Sequence, residues 1–474
     1  MREPPVRWGT YAVLSIGVLL RVALTILLPT RFAYDDHYPP IEIVAHEQRI
    51  PLAHECWECH QPPLYYVLAA TVYSAAEQTA AACGAATDRT NAAARKTVQT
   101  LSTVAGCLTL LGCLGILRRA GPFSAEIEAI ALGCVSLLPQ HLYMSAMATN
   151  DALTYLLATS TIWAALRANA IGWRPGSTLQ FGALAGSTVL CKGYGWVTVA
   201  AILFVLVAHQ IVRPGKSRRW RPTLIFGITS ILVGIGPNIR NVAHYHRMHM
   251  DNTDFFRTSM LTQPPGAFAA VDFHSIRLAS LLTRPWIHES HLASFWTELY
   301  ARYWFDYEGL SLTLGVSPEW RAFWRGLHLK GGIRTRDEWD RILRWDSSAV
   351  PGEVGRVAVV SYAAGIPITL VVLAGLGITL MRGRREFAYA LLGMHFLACL
   401  SVPVVQTLRL PYFSAMKAAF TLSALSSAPV LIARGLNWKP SFAADFCRAV
   451  MWLALVMLLV CNIAILIWIG RHAA

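Results

Sequence analysis

A chain of 474 residues that is 55% hydrophobic and only 14% charged, with a mean hydropathy of +0.43, carries more apolar surface than a soluble domain of that length can hide. The net charge of +14 does not point to nucleic acid. Its basic residues collect in short loops between apolar runs, not on a recognition helix or along a groove of stacking rings.

Apolar runs at 11–28, 98–117, 127–144, 222–236, 357–380, 410–432 and 450–469 approach or exceed the roughly 20 residues a helix needs to cross hydrocarbon. Nothing alternates like the strands of a barrel, so backbone satisfaction in lipid demands helices. Arg2 and Arg7 precede the first run. It ends at Leu28-Pro-Thr30 without a small-x-small cleavage site, and the expectation is an uncleaved span. Taking 62–76 as the second span would put Arg118 and Arg119 outside. Leaving that segment on the outer surface gathers Arg2, Arg7, Arg118, Arg119, Arg167, Arg174, the run from Arg213 to Arg221, Arg382, Arg384, Arg385, Arg434 and Lys439 on one side. This charge pattern predicts about eleven spans with the amino terminus inside and the carboxyl terminus outside. The short run 178–191 then pairs with 196–212 across a turn at Lys192-Gly-Tyr-Gly195. The expected organisation is an amino-terminal transmembrane module (1–240) with a first outer loop (31–97), a large outer region (241–351) and a carboxyl-terminal transmembrane module (352–474). The outer region is rich in Trp, Tyr, His, Arg and Asp, which suits either an interfacial layer or a sugar cleft.

The densest chemistry follows the first span. Asp35 and Asp36 stand together at a membrane exit, where carboxylates need water, a cation or a donor. They are a solvated helix cap, or one of them faces a cleft as a base or a contact to a divalent cation. Further on, Cys56-Trp-Glu-Cys59-His60 has the form of a c-type haem attachment signal. It stands alone beside Pro62-Pro63 with no soluble haem pocket. Haem and a metal site with His54 and His60 are therefore alternatives to a local disulfide or a reduced pair. The other cysteines, such as Cys107, Cys113, Cys134 and Cys399, lie in apolar runs and read as small packing residues.

Several stretches resemble the GT-C class of integral-membrane glycosyltransferases, the superfamily of protein O-mannosyltransferases and the lipid A aminoarabinose transferase. They are Asp35-Asp36, His60-Gln-Pro-Pro-Leu-Tyr-Tyr66, Ser145-Ala-Met-Ala-Thr-Asn-Asp151, Arg240-Asn241 and the stretch 410–420. The resemblance implies a GT-C-like bundle with outer juxtamembrane helices. It also implies inverting sugar transfer from a polyprenyl-phosphate donor on the extracytoplasmic side of an inner or plasma membrane. Asp35 or Asp36 takes the place of the essential first-loop acid, as base or metal contact, and Asp151 that of the second acid. The inserted Gln61 departs from the family's His-Pro-Pro pattern and weakens a direct catalytic role for His60.

Phosphate departure needs cations near the leaving oxygen, and His60, Lys192, Arg240 and Lys417 all fall near outer helix ends in this threading. Tyr65, His288, Glu289 and Trp296 are candidate substrate contacts. A transporter or flippase is the rival from another class, and a non-catalytic envelope-assembly protein is a third reading. The chain keeps its ionisable groups at span ends and shows no internal repeat, unlike a transporter. Sugar, acceptor and oligomeric state are not encoded legibly.

Overall fold

The computed structural model describes residues 7–31, 33, 35–212, 220–251, 254–255, 272–283, 285, 294–305, 352–409, 417–437 and 441–472. They form an all-α bundle: α1 (Trp8–Leu27), α2 (Tyr38–Glu47), α3 (Leu64–Ala82), α4 (Thr87–Ala120), α5 (Ala125–Ser136), α6 (Pro139–Ala146), α7 (Asn150–Ala170), α8 (Pro175–Cys191), α9 (Gly195–Val212), α10 (Trp220–Gly234) and α11 (Gly236–Tyr245). Two short helices follow, α12 (Leu278–Thr283) and α13 (Phe295–Trp304). Then come α14 (Gly352–Gly383), α15 (Phe387–Arg409), a 3-10 helix (Ala418–Ser426), α16 (Ala428–Leu436) and α17 (Phe442–His472).

Among the described residues, six helices are long and apolar enough to cross a membrane: α1, α4, α9, α14, α15 and α17. Three bent pairs raise the number to nine if each pair is one span. The protein is thus a polytopic membrane bundle, with fewer spans established than the eleven expected. Of the remaining helices, α8 has only 17 residues. The segment expected to lie on the outer surface, α3, is 19 residues long but is not apolar enough to count as a span.

The bends follow from proline. Pro139 opens α6 and holds Leu138 extended, so α5 and α6 meet at 55°. Pro237 in the first turn of α11 accompanies a 47° bend from α10, and Pro429 a 69° bend between the 3-10 helix and α16. The apolar run 127–144 and the described part of 410–432 are therefore not single straight spans. Close packing relies on small residues, as it does wherever lipid removes the hydrophobic drive for association. A Cβ on Gly375 of α14 would lie 1.8 Å from the Leu431 carbonyl oxygen of α16.

Charges fasten the bundle ends. The Glu128 carboxylate, almost fully buried, accepts from Arg7 and, at 2.9 Å, from Arg118. It ties the start of α1 to the end of α4 and the start of α5. Arg434 and the Tyr389 hydroxyl both donate to the Ala120 carbonyl, at 3.2 and 2.7 Å. Basic residues assigned to one side by charge counting thus meet at one end of the bundle. Within α1, the buried Arg21 donates to the carbonyls of Gly17 (2.8 Å) and Ser136 (3.0 Å) and meets His141 Nδ1 at 2.7 Å. That arrangement satisfies an intramembrane cation and pins α1 to α5 and α6.

Candidate active site

At the opposite end, the loop after α1 reaches the turn before α7. Ala33 and Ala148 form a parallel backbone bridge, so the two chains run side by side toward Asp35 and Asp151. Asp35 has φ 58°, the left-handed region that costs a non-glycine residue about 1–3 kcal/mol. There its carboxylate takes the Lys417 ammonium at 2.6 and 2.8 Å. Burial pushes the Asp35 carboxyl up, but Lys417 foremost, then His37 and Lys192, outweighs it and holds the group below the usual carboxylate range. Both aspartates are exposed as residues, and Asp35 is the one paired with Lys417.

Asp151 is buried in the first turn of α7, capped by Thr149, where the helix dipole favours an anion. One oxygen receives the Lys192 ammonium at 2.7 Å, the other the Tyr194 hydroxyl at 2.5 Å. Gly195 makes this possible: a Cβ there would lie 2.5 Å from the Thr188 backbone. Only glycine lets α9 start hard against the last turn of α8 and swing Lys192 and Tyr194 over Asp151. The Lys192 ammonium also lies 5.8 Å from the Phe420 ring centre, and Tyr194 meets Phe420 edge to face. Lys417 and Phe420 lie more than 200 residues along the chain from Asp35, Asp151 and Lys192, so the site joins distant parts of the sequence.

Two groups missed by sequence reasoning complete the arrangement. His37 is buried, its Nδ1 2.9 Å from the Tyr66 hydroxyl, and its Nε2 has no hydrogen-bond partner among the described residues. Burial, then Lys192, pushes this imidazole down to about 3, so it is neutral at physiological pH. Glu58 is buried as well, 4% exposed. Burial and then Asp35 push its carboxyl up to about 8, against the opposing pull of Lys192 and Lys417. A loop glutamate between two cysteines gives little hint of this; the signal is the disulfide that closes the turn between Cys56 and Cys59. That bond occupies both thiols a haem would need.

The other expected residues lie elsewhere. His60 meets the Trp57 carbonyl and Gln61, each at 3.1 Å, and burial leads a net push below the usual imidazole range. Arg240 donates to the carbonyls of Ile50 (3.2 Å) and Pro51 (2.7 Å), fastening the segment between α2 and α3 to α11. Tyr65 is fully buried against Tyr66. Trp296 donates to the Phe273 carbonyl at 2.8 Å. His288 and Glu289 lie outside the described residues. Among the described residues no three His, Cys, Asp or Glu side chains gather as a metal site. Asp35 and Asp151 each pair with a lysine.

Residues 93–239 match the family model described as dolichyl-phosphate-mannose-protein mannosyltransferase. No curated protein matches the chain. The apo oligosaccharyltransferase of Archaeoglobus fulgidus superposes with a TM-score of 0.50 at 14% identity, over 96% of this chain and 56% of that one. AglB from the same organism, in complex with an inhibitory peptide and a dolichol-phosphate, gives 0.49 at 14% identity, over 98% and 56%. ArnT from Cupriavidus metallidurans bound to undecaprenyl phosphate gives 0.40 at 14% identity, over 89% and 78%. The chain spans little more than half the length of the archaeal proteins. By fold, and by the matched segment 93–239, it is similar to the GT-C integral-membrane glycosyltransferases.

Proposed function

We propose that the protein transfers a sugar from a polyprenyl-phosphate donor to a lipid, glycan or protein acceptor on the non-cytoplasmic face of an inner or plasma membrane, with inversion at the anomeric carbon. The observation that carries this reading is the bridge-aligned pair of lysine-held carboxylates, Asp35 with Lys417 and Asp151 with Lys192. The family description naming a lipid-phosphate sugar supports the donor class. The disulfide at the same end of the bundle supports the outer orientation, because such bonds persist in oxidising compartments. With α7 and α8 counted as crossings beside the nine, the bundle reaches eleven.

Asp35, more exposed than Asp151 and held ionised by Lys417, takes the proton of the acceptor hydroxyl or amine. The acceptor attacks the anomeric carbon opposite the phosphate, and the electron pair of the breaking bond passes to the phosphate oxygen. Lys192 and Lys417 lie where that charge gathers. Asp151, buried and doubly held, positions Lys192 and Tyr194.

The test is turnover of polyprenyl-phosphate sugars by the full chain in liposomes, read as acceptor-dependent release of lipid phosphate. The wild type should turn over and Asp35→Asn should lose about 10²- to 10⁴-fold while unfolding normally. Unaltered turnover in Asp35→Asn would remove the base. Directional uptake without bond cleavage would mean a transporter.

A further inference from the structure

The geometry points to a second working carboxyl in the first outer loop: we propose that Glu58 is the acid of the transfer, giving its proton to the departing lipid phosphate while Asp35 accepts the proton of the nucleophile. The inference rests on the transfer reading above and assigns the leaving-group half of the same reaction.

Loop glutamates are ordinarily solvated, and this one is 4% exposed. Its turn is closed three times over: by the Cys56–Cys59 disulfide, by the Cys59 amide donating to the Cys56 carbonyl at 3.2 Å, and by the Gln61 amide donating to the Glu58 carbonyl at 3.2 Å. The Gln61 side chain donates to Glu58 Oε2 at 3.1 Å. The residue inserted into the His-Pro-Pro pattern therefore has a task here, holding one oxygen of Glu58 and leaving Oε1 with no described hydrogen bond. The charged and titratable groups near enough to act on Glu58 electrostatically are Asp35, Lys192 and Lys417 from the two ion pairs and the Tyr66 phenol.

The two carboxyls are displaced in opposite directions. Asp35 lies below its ordinary range and Glu58 is raised to about 8. Neighbouring titratable groups pushed apart in this way divide into a base and an acid. At neutral pH, ionised Asp35 removes the acceptor proton, the new glycosidic bond forms, and the sugar–phosphate bond breaks toward the phosphate oxygen. The Glu58 proton moves to that oxygen. The products are the glycoside, a singly charged lipid phosphate, protonated Asp35 and ionised Glu58; return of the proton from Asp35 to Glu58 restores the site. Proton transfer from Glu58 lets the phosphate leave singly charged, which adds to the stabilisation from Lys192 and Lys417 while they stay shared with Asp151 and Asp35.

Two measurements on the full chain in liposomes test this. Infrared spectra at pH 7 should contain the carbonyl stretch of a protonated carboxylic acid that disappears in Glu58→Gln and shifts when undecaprenyl phosphate is added. A spectrum unchanged by Glu58→Gln would overturn the proposal whatever the turnover. In kinetics, Glu58→Gln should lower kcat by about 10²- to 10⁴-fold with KM unchanged and abolish the alkaline limb near pH 8, while Glu58→Asp should recover part of the rate. Wild-type turnover in Glu58→Gln would sink this role and leave the transfer reading standing. Absence of transfer by the wild type from any polyprenyl-phosphate sugar would remove both.

Discussion

Replacing Lys192 by Met should destabilise the bundle through Asp151, and the structure sets the size of the effect. The ammonium and carboxylate lie 2.7 Å apart, 6% and 1% exposed. At an effective dielectric of about 20 their gross attraction is about 6 kcal/mol. Desolvation offsets much of it, and removing one partner of such a pair costs about 3–5 kcal/mol because the other is left buried and charged. Tyr194 and Thr149 still donate to Asp151, which places Lys192→Met at about 3 kcal/mol, the lower end of that range. Asp151→Asn strands the ammonium instead. The double variant strands nothing, so it should cost no more than either single change. The assay is unfolding of the purified protein in mixed micelles titrated with sodium dodecyl sulfate, followed by tryptophan fluorescence, for all four members of the cycle. Single costs below about 1 kcal/mol would mean a solvated pair. Costs that simply add would mean that the two residues do not touch.

Gly375→Ala should lower stability by about 1–3 kcal/mol through overpacking against the Leu431 carbonyl, which cannot rotate away. Gly377→Ala, with open space around it, should be neutral in the same titration. Arg240→Ala removes a charged donor from the Ile50 and Pro51 carbonyls, worth about 1.5–3 kcal/mol. Amide hydrogen exchange over residues 50–56 should then speed roughly ten- to a hundredfold. His37 gives a pH signature. Its imidazole titrates near 6.5 when the loop is open and about 3 when it is closed. Between those values the open state binds a proton that the closed state does not. His37 therefore removes loop protection as pH drops through that window, while Glu58, raised from its ordinary 4.5 to about 8, adds protection as pH drops between those two values. His37→Phe should lose less protection than the wild type as pH falls from 6.5 to about 3.

The ends of the bundle are more legible in the sequence than its interior. Arg7 and Arg118, distant in the chain, share a preference for one membrane side, and they meet on Glu128. The bends at Pro139, Pro237 and Pro429 are not legible, because an apolar run reads the same whether one helix or two cross the bilayer. At the site, Lys192 and Lys417 stand out because cations at span ends need a partner, and both find a carboxylate. Arg240 carries the same signal and finds backbone carbonyls instead; position alone does not distinguish these outcomes. Glu58 is concealed by its neighbours, since only closure of the Cys56–Cys59 turn takes it out of water.

Where Ala33 and Ala148 pair in the same direction, the two strands of chain keep step like the rails of a track. Asp35 stands two residues past one end of the bridge and Asp151 three past the other, so both carboxylates sit a few peptide units from one shared backbone contact. Substitutions along those few residues leave the count intact. A single insertion or deletion there puts the carboxylates out of phase, however well the helices beneath them still assemble.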